Sequence, residues 1–415
     1  MESKLRLDCS WEAERGRIML AKGSLLRPAN SEALWELANR ATGVLGKVNE
    51  SAQEPLEKKT PPSQTGPSLM KLCGLSQHTY KFYLKDGAGV ELPSGTSRGH
   101  GRSREFNFEE TKAWLRHCKA LPRKPANVEA AVITTSNFKG GASKTSTTIS
   151  IGQGLNLLHD LKVLFIDLDA QGSLTQLFGI IPDAHVTRDQ TAEPLFEGEE
   201  EDLRYAVRET YWPGLDLVAA GPALYNAEFF LPSRTKDDPT FQFWEVLRRG
   251  LGPLRSQYDV ILIDTPPSLS YTTINAMIAA DGLIVPIVPE PLDFASSAQF
   301  WNLFADVSTA LGAYGKEKQF EFIDILLSKV ENSSVTVPVR GWLSESYGDF
   351  ILPLEIPKTS VLSNSNAEFK SVYEVSEYAG SAQTFSRARE AYDALVDHVH
   401  AQIVELWQKR SGESE

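Results

Sequence analysis

From Asn137 to Ser146 the chain reads Asn-Phe-Lys-Gly-Gly-Ala-Ser-Lys-Thr-Ser. The apolar run Ala130–Thr135 before it predicts a strand, and residues 147–158 after it predict a helix. A strand, a glycine-rich turn and Lys-Thr at a helix start together make a phosphate cradle. Glycines let backbone N–H groups approach phosphate oxygens, and the helix N-terminus adds partial positive charge. In such a cradle Lys139, Gly140, Gly141, Ala142, Ser143, Lys144, Thr145 and Ser146 surround the phosphates. Lys144 reaches the terminal phosphates, and the Thr145 hydroxyl sits on Mg²⁺. This requirement commits the chain to an α/β fold, because the cradle works only between a buried parallel strand and the helix that covers it.

The strict pattern G-x-x-x-x-G-K-[ST] is not met. Phe138 and Ser143 stand at its two glycine positions, and a second lysine, Lys139, lies five residues before Lys144. Two further segments supply acids. Residues 161–171 read as an apolar strand ending in Asp167 and Asp169, which alternation places on one face at the strand's C-terminal end. Ligands of open α/β sheets bind there. Such a carboxylate can orient a water against a γ-phosphate. Residues 258–267 read as another buried strand, ending in Asp264, the position that holds Mg²⁺ in phosphate-loop ATPases. Asp167 joins Thr145 and Asp264 as a candidate metal residue, and Asp169 joins Lys139 and Lys144 as a candidate catalytic one. Residues 282–288 and 322–327 extend the sheet. Pro357 and Lys358 follow a further short strand, where a base or ribose contact fits.

Composition sets the surroundings. The 415 residues suffice for two or three domains, and no apolar run approaches the ~18 residues of a membrane span. Three scattered cysteines without metal-ligand spacing and a charged N-terminus predict a reducing, cytoplasmic setting. The net charge of -12 is uneven. Residues 1–127 carry 21 Lys and Arg against 14 Asp and Glu, whereas the rest carries 21 against 40. A basic front on an acidic body points to nucleic acid at the front end.

Three parts follow. Residues 1–66 contain a heptad seam of Leu34, Leu37, Ala41, Val44 and Val48, suited to self-association, and then a polar stretch over 50–67 that reads as a linker. Residues 67–126 read as a winged helix-turn-helix: a short helix, the Gly74-Leu75-Ser76 turn, and a second helix presenting Gln77, His78, Tyr80 and Lys81 to a groove. A glycine-rich hairpin beyond it carries Arg98, Arg102 and Arg104. Residues 127–415 form the mostly parallel ATPase sheet.

The double-lysine loop, with Asp167-Leu168-Asp169-Ala170-Gln171-Gly172 and Lys358-Thr359-Ser360, resembles the deviant phosphate loop of the ParA/MinD superfamily. The larger plasmid partition ATPases with an N-terminal DNA-binding domain are most similar, notably the ParA-like RepA proteins of repABC replicons. The resemblance implies ATP and Mg²⁺ as cofactors and an ATP-bridged homodimer in which Lys139 reaches the partner's phosphates. It implies weak ATP hydrolysis stimulated by a ParB-type centromere-binding protein, binding of nonspecific and operator DNA with repression of its own operon, and a nucleoid-associated location. On an acidic body the basic DNA face must be local, and Arg387 and Arg389, with Arg340, Lys358 and Lys370, are its candidates. A nucleotide-sensing repressor without a partition role is the alternative. A membrane-bound member is disfavoured because residues 392–410 lack a basic amphipathic face.

Overall fold

The computed structural model describes residues 30–57, 59–86, 91–97, 104–313, 317–331, 333–334, 336–359, 369–375 and 381–412. The chain divides into two units, residues 1–52 and 53–415. The described part of the first is helix α1 (Ser31–Glu57), which runs on across the division. Asn30 caps it, accepting from the Ala33 N–H at 2.9 Å. Leu34, Trp35, Leu37 and Val44 are all at least 60% exposed, so among the described residues the apolar stripe is left uncovered.

The second unit opens with a small three-stranded sheet and three helices. Strand β1 (Gln64–Thr65) leads into α2 (Gly66–Cys73) and α3 (Gln77–Asp86), then β2 (Thr96–Ser97), β3 (Arg104–Phe106) and α4 (Phe108–Cys118). The sheet order is β1-β3-β2, antiparallel throughout. Gly74 ends α2 at φ +66°, and its N–H and that of Leu75 bond back to Lys71 and Met70 carbonyls, which makes the sharp turn into α3. Leu69, Phe106, Trp114 and Leu115 form its core.

The polar stretch over 50–67 is not a linker. Helix α1 reaches Glu57, Gln64 pairs in register with Phe106, and the buried Lys59 ammonium pairs with Glu374 at 2.7 Å. Polar composition misled here because a long lysine stem can be buried once its head is paired. The small sheet-and-helix element is docked on the body rather than tethered to it. Lys112 of α4 donates to the Asn156 carbonyl and pairs with Asp160 at 2.5 Å, and Arg116 meets the same carboxylate at 2.7 Å. Arg123 also bonds it.

The body follows as β4 (Ala131–Thr135), α5 (Lys144–His159), β5 (Val163–Asp167), α6 (Ser173–Leu177), α7 (Pro182–His185), α8 (Glu193–Glu197), β6 (Arg208–Glu209), β7 (Leu215–Val218), α9 (Ala227–Asp237), α10 (Val246–Gly250), β8 (Val260–Asp264), α11 (Tyr271–Ala279), β9 (Gly282–Ile287), α12 (Pro291–Gly312), β10 (Phe322–Val330), α13 (Thr336–Tyr347), β11 (Ile351–Pro357) and α14 (Ala382–Ser411). The eight-stranded sheet runs β11-β10-β9-β4-β8-β5-β7-β6, parallel except for the edge pair β6–β7. Strands β4, β5 and β8 are buried at every residue, which explains why they read as continuous apolar runs. One face packs on α5 and α14 through Ile151, Leu155, Val396, Val399 and Ile403, and the other on Leu195, Phe196, Leu247 and Ala276. Helices α5 and α14 meet closely: a Cβ on Gly154 would lie 2.4 Å from Val396.

Candidate functional site

Registers of β4, β8 and β5 bring Thr135, Asp264 and Asp167 side by side at the C-terminal edge of the sheet. The loop leaving β4 is shaped by Asn137. Its side-chain amide donates to the Pro286 carbonyl at 2.7 Å while its oxygen accepts from the Lys139 N–H at 3.0 Å. Gly141 (φ +77°) and Ser143 (φ +72°) then both take left-handed backbone, and α5 begins at Lys144. Ser143 occupies a conformation that glycine adopts more readily, and its side chain makes no capping bond.

The loop frames a cleft of about 450 Å³, a size suited to a small organic ligand. Gly140, Gly141, Ser143, Lys144, Thr145 and Ser146 line one wall. Asp169, Ser173, Gln176, Leu177 and Pro267 line another, and Lys329, Lys358, Thr359 and Phe369 close it. Lys144 is buried, and its ammonium lies 3.2 Å from the Lys139 carbonyl. Burial lowers its pKa, opposed by the charges of Asp264 and Asp169. The Thr145 hydroxyl donates to Asp264 at 2.6 Å, and Thr148 donates to the other oxygen at 3.2 Å. Burial pushes the Asp264 carboxyl up to about 6, against the opposing Thr145 bond and Lys144 charge.

Of the two acids after β5, the structure separates the surroundings. Asp169 lines the cleft. Asp167 is fully buried and accepts from the Asp169 N–H (3.1 Å), the Thr175 N–H (2.9 Å) and the Thr175 hydroxyl (2.8 Å). Burial first, and then the neighbouring Asp264 charge, raise its pKa well above the carboxylate range. It ties the turn after β5 to α6.

The remaining sequence candidates fall in several places. Lys139 is not among the cleft-lining residues; its ammonium stands 3.8 Å from the buried carboxylate of Asp293 and is 39% exposed. Ala142 lies behind the loop, its carbonyl accepting from the Ser328 hydroxyl at 3.1 Å. Lys358 lines the cleft and pairs with Glu331 at 2.8 Å, whereas Pro357 does not line it. On α3, Gln77, His78 and Lys81 are exposed. Tyr80 is not: it is 8% exposed and packs its ring on Phe106 and Trp114. Tyr80 shares its helix face with Tyr83 and Leu84, three and four residues on, and that face turns into the small core. Arg104 bonds the Ser94 carbonyl across the ribbon, and Arg98 and Arg102 lie outside the described residues. Arg387 is exposed. Arg389 instead stacks at 4.1 Å over the Tyr373 ring and bonds Asp393 at 2.9 Å, so its charge is spent on packing α14. Arg340 is likewise paired, with Glu355 at 2.6 Å.

Sequence reading missed Ser173, Gln176, Leu177, Pro267, Lys329 and Phe369. Pro267 alone had a local signal, three residues beyond Asp264. The donor set suits a nucleotide with a hard cation. Loop N–H groups and the Lys144 ammonium are donors suited to phosphate, and the Thr145 hydroxyl and Asp264 carboxylate are oxygen donors of the kind Mg²⁺ prefers. Among the described residues no three His, Cys, Asp or Glu side chains converge to hold a metal. No helix among them is long and apolar enough to cross a membrane.

Residues 130–314 match the family model of an AAA domain, AAA_31. A candidate replication protein A of Sinorhizobium fredii is 28% identical over 348 residues, covering 81% of this chain and 84% of that protein. Protein SopA of Escherichia coli is 32% identical over 262 residues, covering 61% and 65%. Plasmid partition protein A of Escherichia coli is 27% identical over 286 residues, covering 66% and 72%. A solved structure of a partition protein shares the fold over 92% of this chain and 99% of its own, with 21% identity and a TM-score of 0.64.

Proposed function

We propose that the chain is a ParA-type ATPase, a plasmid or replicon partition protein that works as an ATP-bridged homodimer, a reading supported by the matched AAA domain and by its similarity to partition proteins. One observation carries the reading. Lys144, Thr145 and Asp169 line one cleft, with the buried Asp264 directly behind Thr145 at 2.6 Å, while the second lysine of the loop, Lys139, does not line it and stands partly exposed beside Asp293. A lysine placed so suits a nucleotide held by a second copy better than its own.

In this reading Lys144 and the loop N–H groups bind the β- and γ-phosphates. Thr145 and Asp264 hold Mg²⁺, which neutralises charge on those phosphates when bound. Asp169 orients the attacking water, and Lys139 of each copy stabilises charge on the other's phosphates. Lys358 and Phe369 contact the base or ribose. Binding across two copies makes nucleotide state decide association, and hydrolysis releases the pair.

The finer assignments rest on placement and charge. Gln77, His78 and Lys81 on α3, with the arginines of the ribbon, serve operator DNA and repression of the protein's own operon. The basic front supports this. The α1 stripe supports association of two copies, and Arg387 is the remaining exposed candidate for nonspecific DNA on the body. A ParB-type centromere-binding protein stimulates turnover, and the protein is cytoplasmic and nucleoid-associated. A membrane-bound role is disfavoured because the apolar face of α14, including Tyr392, Val396 and Trp407, is buried against the body.

The test measures ATP turnover alone, with nonspecific DNA, and with the cognate centromere-binding protein. Strong stimulation by both together supports partition. Unchanged turnover with tight operator binding supports the nucleotide-sensing repressor, a reading favoured by the docking of the small sheet-and-helix element on the body through α4. Lys139→Ala should abolish ATP-dependent dimerisation in analytical ultracentrifugation and keep ADP binding; a stable ATP dimer of that variant removes the trans role.

A further inference from the structure

Strand β10 carries a bulge beside the phosphate loop. Its pairing with β11 shifts between Leu327↔Glu355 and Val330↔Pro357, so three steps on β10 face two on β11. Within the bulge Lys329 takes φ +50°, left-handed backbone that a lysine rarely adopts. Bulges re-aim side chains, and this one turns two successive residues onto the loop. The Ser328 hydroxyl donates to the Ala142 carbonyl at 3.1 Å, and the Lys329 ammonium donates to the Gly141 carbonyl at 2.7 Å.

A trans peptide points its C=O and the next N–H in opposite directions. Holding the Gly141 and Ala142 carbonyls against β10 therefore turns the Ala142 and Ser143 N–H groups away from that strand. Lys329 also lines the cleft itself. The carbonyl it holds lies two residues from Lys139, whose own carbonyl holds the Lys144 ammonium that serves the terminal phosphates in the reading above.

We propose that Lys329 is a further positioning residue of this nucleotide site, orienting the loop donors and adding a third lysine charge at the terminal phosphate, so that triphosphate is held in preference to diphosphate. The proposal rests on the nucleotide reading above and concerns a residue outside the loop motif.

Calorimetric titration of the full chain with Mg²⁺ and a non-hydrolysable ATP analogue, and separately with ADP, tests it. Lys329→Met should weaken the triphosphate analogue about tenfold, the loss of roughly one charge-assisted bond, and change ADP less than about twofold by the same reasoning. Lys329→Arg should restore most of the difference. Lys329→Gly removes the ammonium while suiting the left-handed backbone, and should behave like Lys329→Met even if the latter is poorly folded. Equal weakening of both nucleotides in the Met and Gly variants, or no change in either, overturns the role of Lys329. Wild-type protein that binds neither nucleotide overturns the site itself.

Discussion

Asp160 ends the phosphate-loop helix, and removing it should separate two parts of the molecule that the fold holds together. Its side chain is 7% exposed and receives Lys112, itself 4% exposed, together with Arg116 and Arg123. Burial acts on both partners with opposite results. For Asp160 burial alone would raise the pKa, but the bonds from Arg116, Lys112 and Arg123 outweigh it and hold the carboxyl well below its usual range. For Lys112 burial outweighs the pairing and lowers the pKa to about 8. Asp160→Ala leaves that lysine buried with the Asn156 carbonyl and the face of Phe108, 5.6 Å away, but without a counter-charge in contact. Breaking one side of a buried pair costs about 3–5 kcal/mol, and Lys112→Met added to it should recover more than half by removing the unmatched charge.

The pH dependence carries the sign. Because the folded Asp160 pKa is depressed, its contribution is present above about pH 4, the unfolded carboxylate value, and is lost as pH falls through the lower folded value. The wild-type advantage over Asp160→Ala should therefore shrink in acid. Because the folded Lys112 pKa is lowered to about 8, the unfolded chain binds more protons between there and about 10.5, so wild-type stability rises with pH across that window. Urea unfolding followed by circular dichroism, at neutral pH and across the two windows, reads all of this. A single variant within about 1 kcal/mol of wild type, well below the range for a broken buried pair, or a double variant with no recovery, refutes the reasoning.

Three further outcomes follow from the cleft. Asp169→Ala should lower stimulated ATP turnover by roughly 10²–10⁴, the usual contribution of a positioned acid or base, while leaving affinity for a non-hydrolysable analogue unchanged; a parallel loss of affinity removes its assigned role. Ser143→Gly replaces a left-handed serine that makes no capping bond. The relieved strain of about 1–2 kcal/mol, offset by about 0.4–1 kcal/mol of unfolded-chain entropy, should raise stability by up to about 1.6 kcal/mol, and a clear loss in thermal denaturation contradicts it. Asp293→Asn frees Lys139 from its partner in the same chain. A partly exposed ion pair is worth at most about 1 kcal/mol, and each dimer releases two, so the ATP-dependent dimer should tighten by up to about thirtyfold in sedimentation; a weaker dimer means Asp293 supports the bridging state instead.

The parallel sheet and the order of its acid-ended strands were legible because each depends on contiguous residues. An apolar run buried on both faces, with Asp at its end, states both element and position. Lys329 was not legible, since its bond to Gly141 spans 188 residues and arises from a bulge that no local pattern marks. Phe369 reaches the cleft by a similar return of the chain. Tyr80 was misplaced because a short helix with aromatics on two faces, Tyr80 and Phe82, does not say which one is buried; Phe82 is 54% exposed. Arg389 read as a free cation because sequence hides the Tyr373 ring beneath it. The stretch over 50–67 read as a spacer because composition does not reveal that one lysine, Lys59, finds Glu374 more than three hundred positions away.

Helix α5 is one rigid rod of 16 residues, about 24 Å from end to end. Its first residue touches the phosphate seat and the residue capping its far end is clasped by α4. Over that length a tilt of about 5° at one end displaces the other by about 2 Å, roughly the scale of helix shifts in known switches. Whatever occupies the cleft thus has a stiff mechanical lever on the small element at the opposite side, with no need for a chain of loose side-chain rearrangements between them.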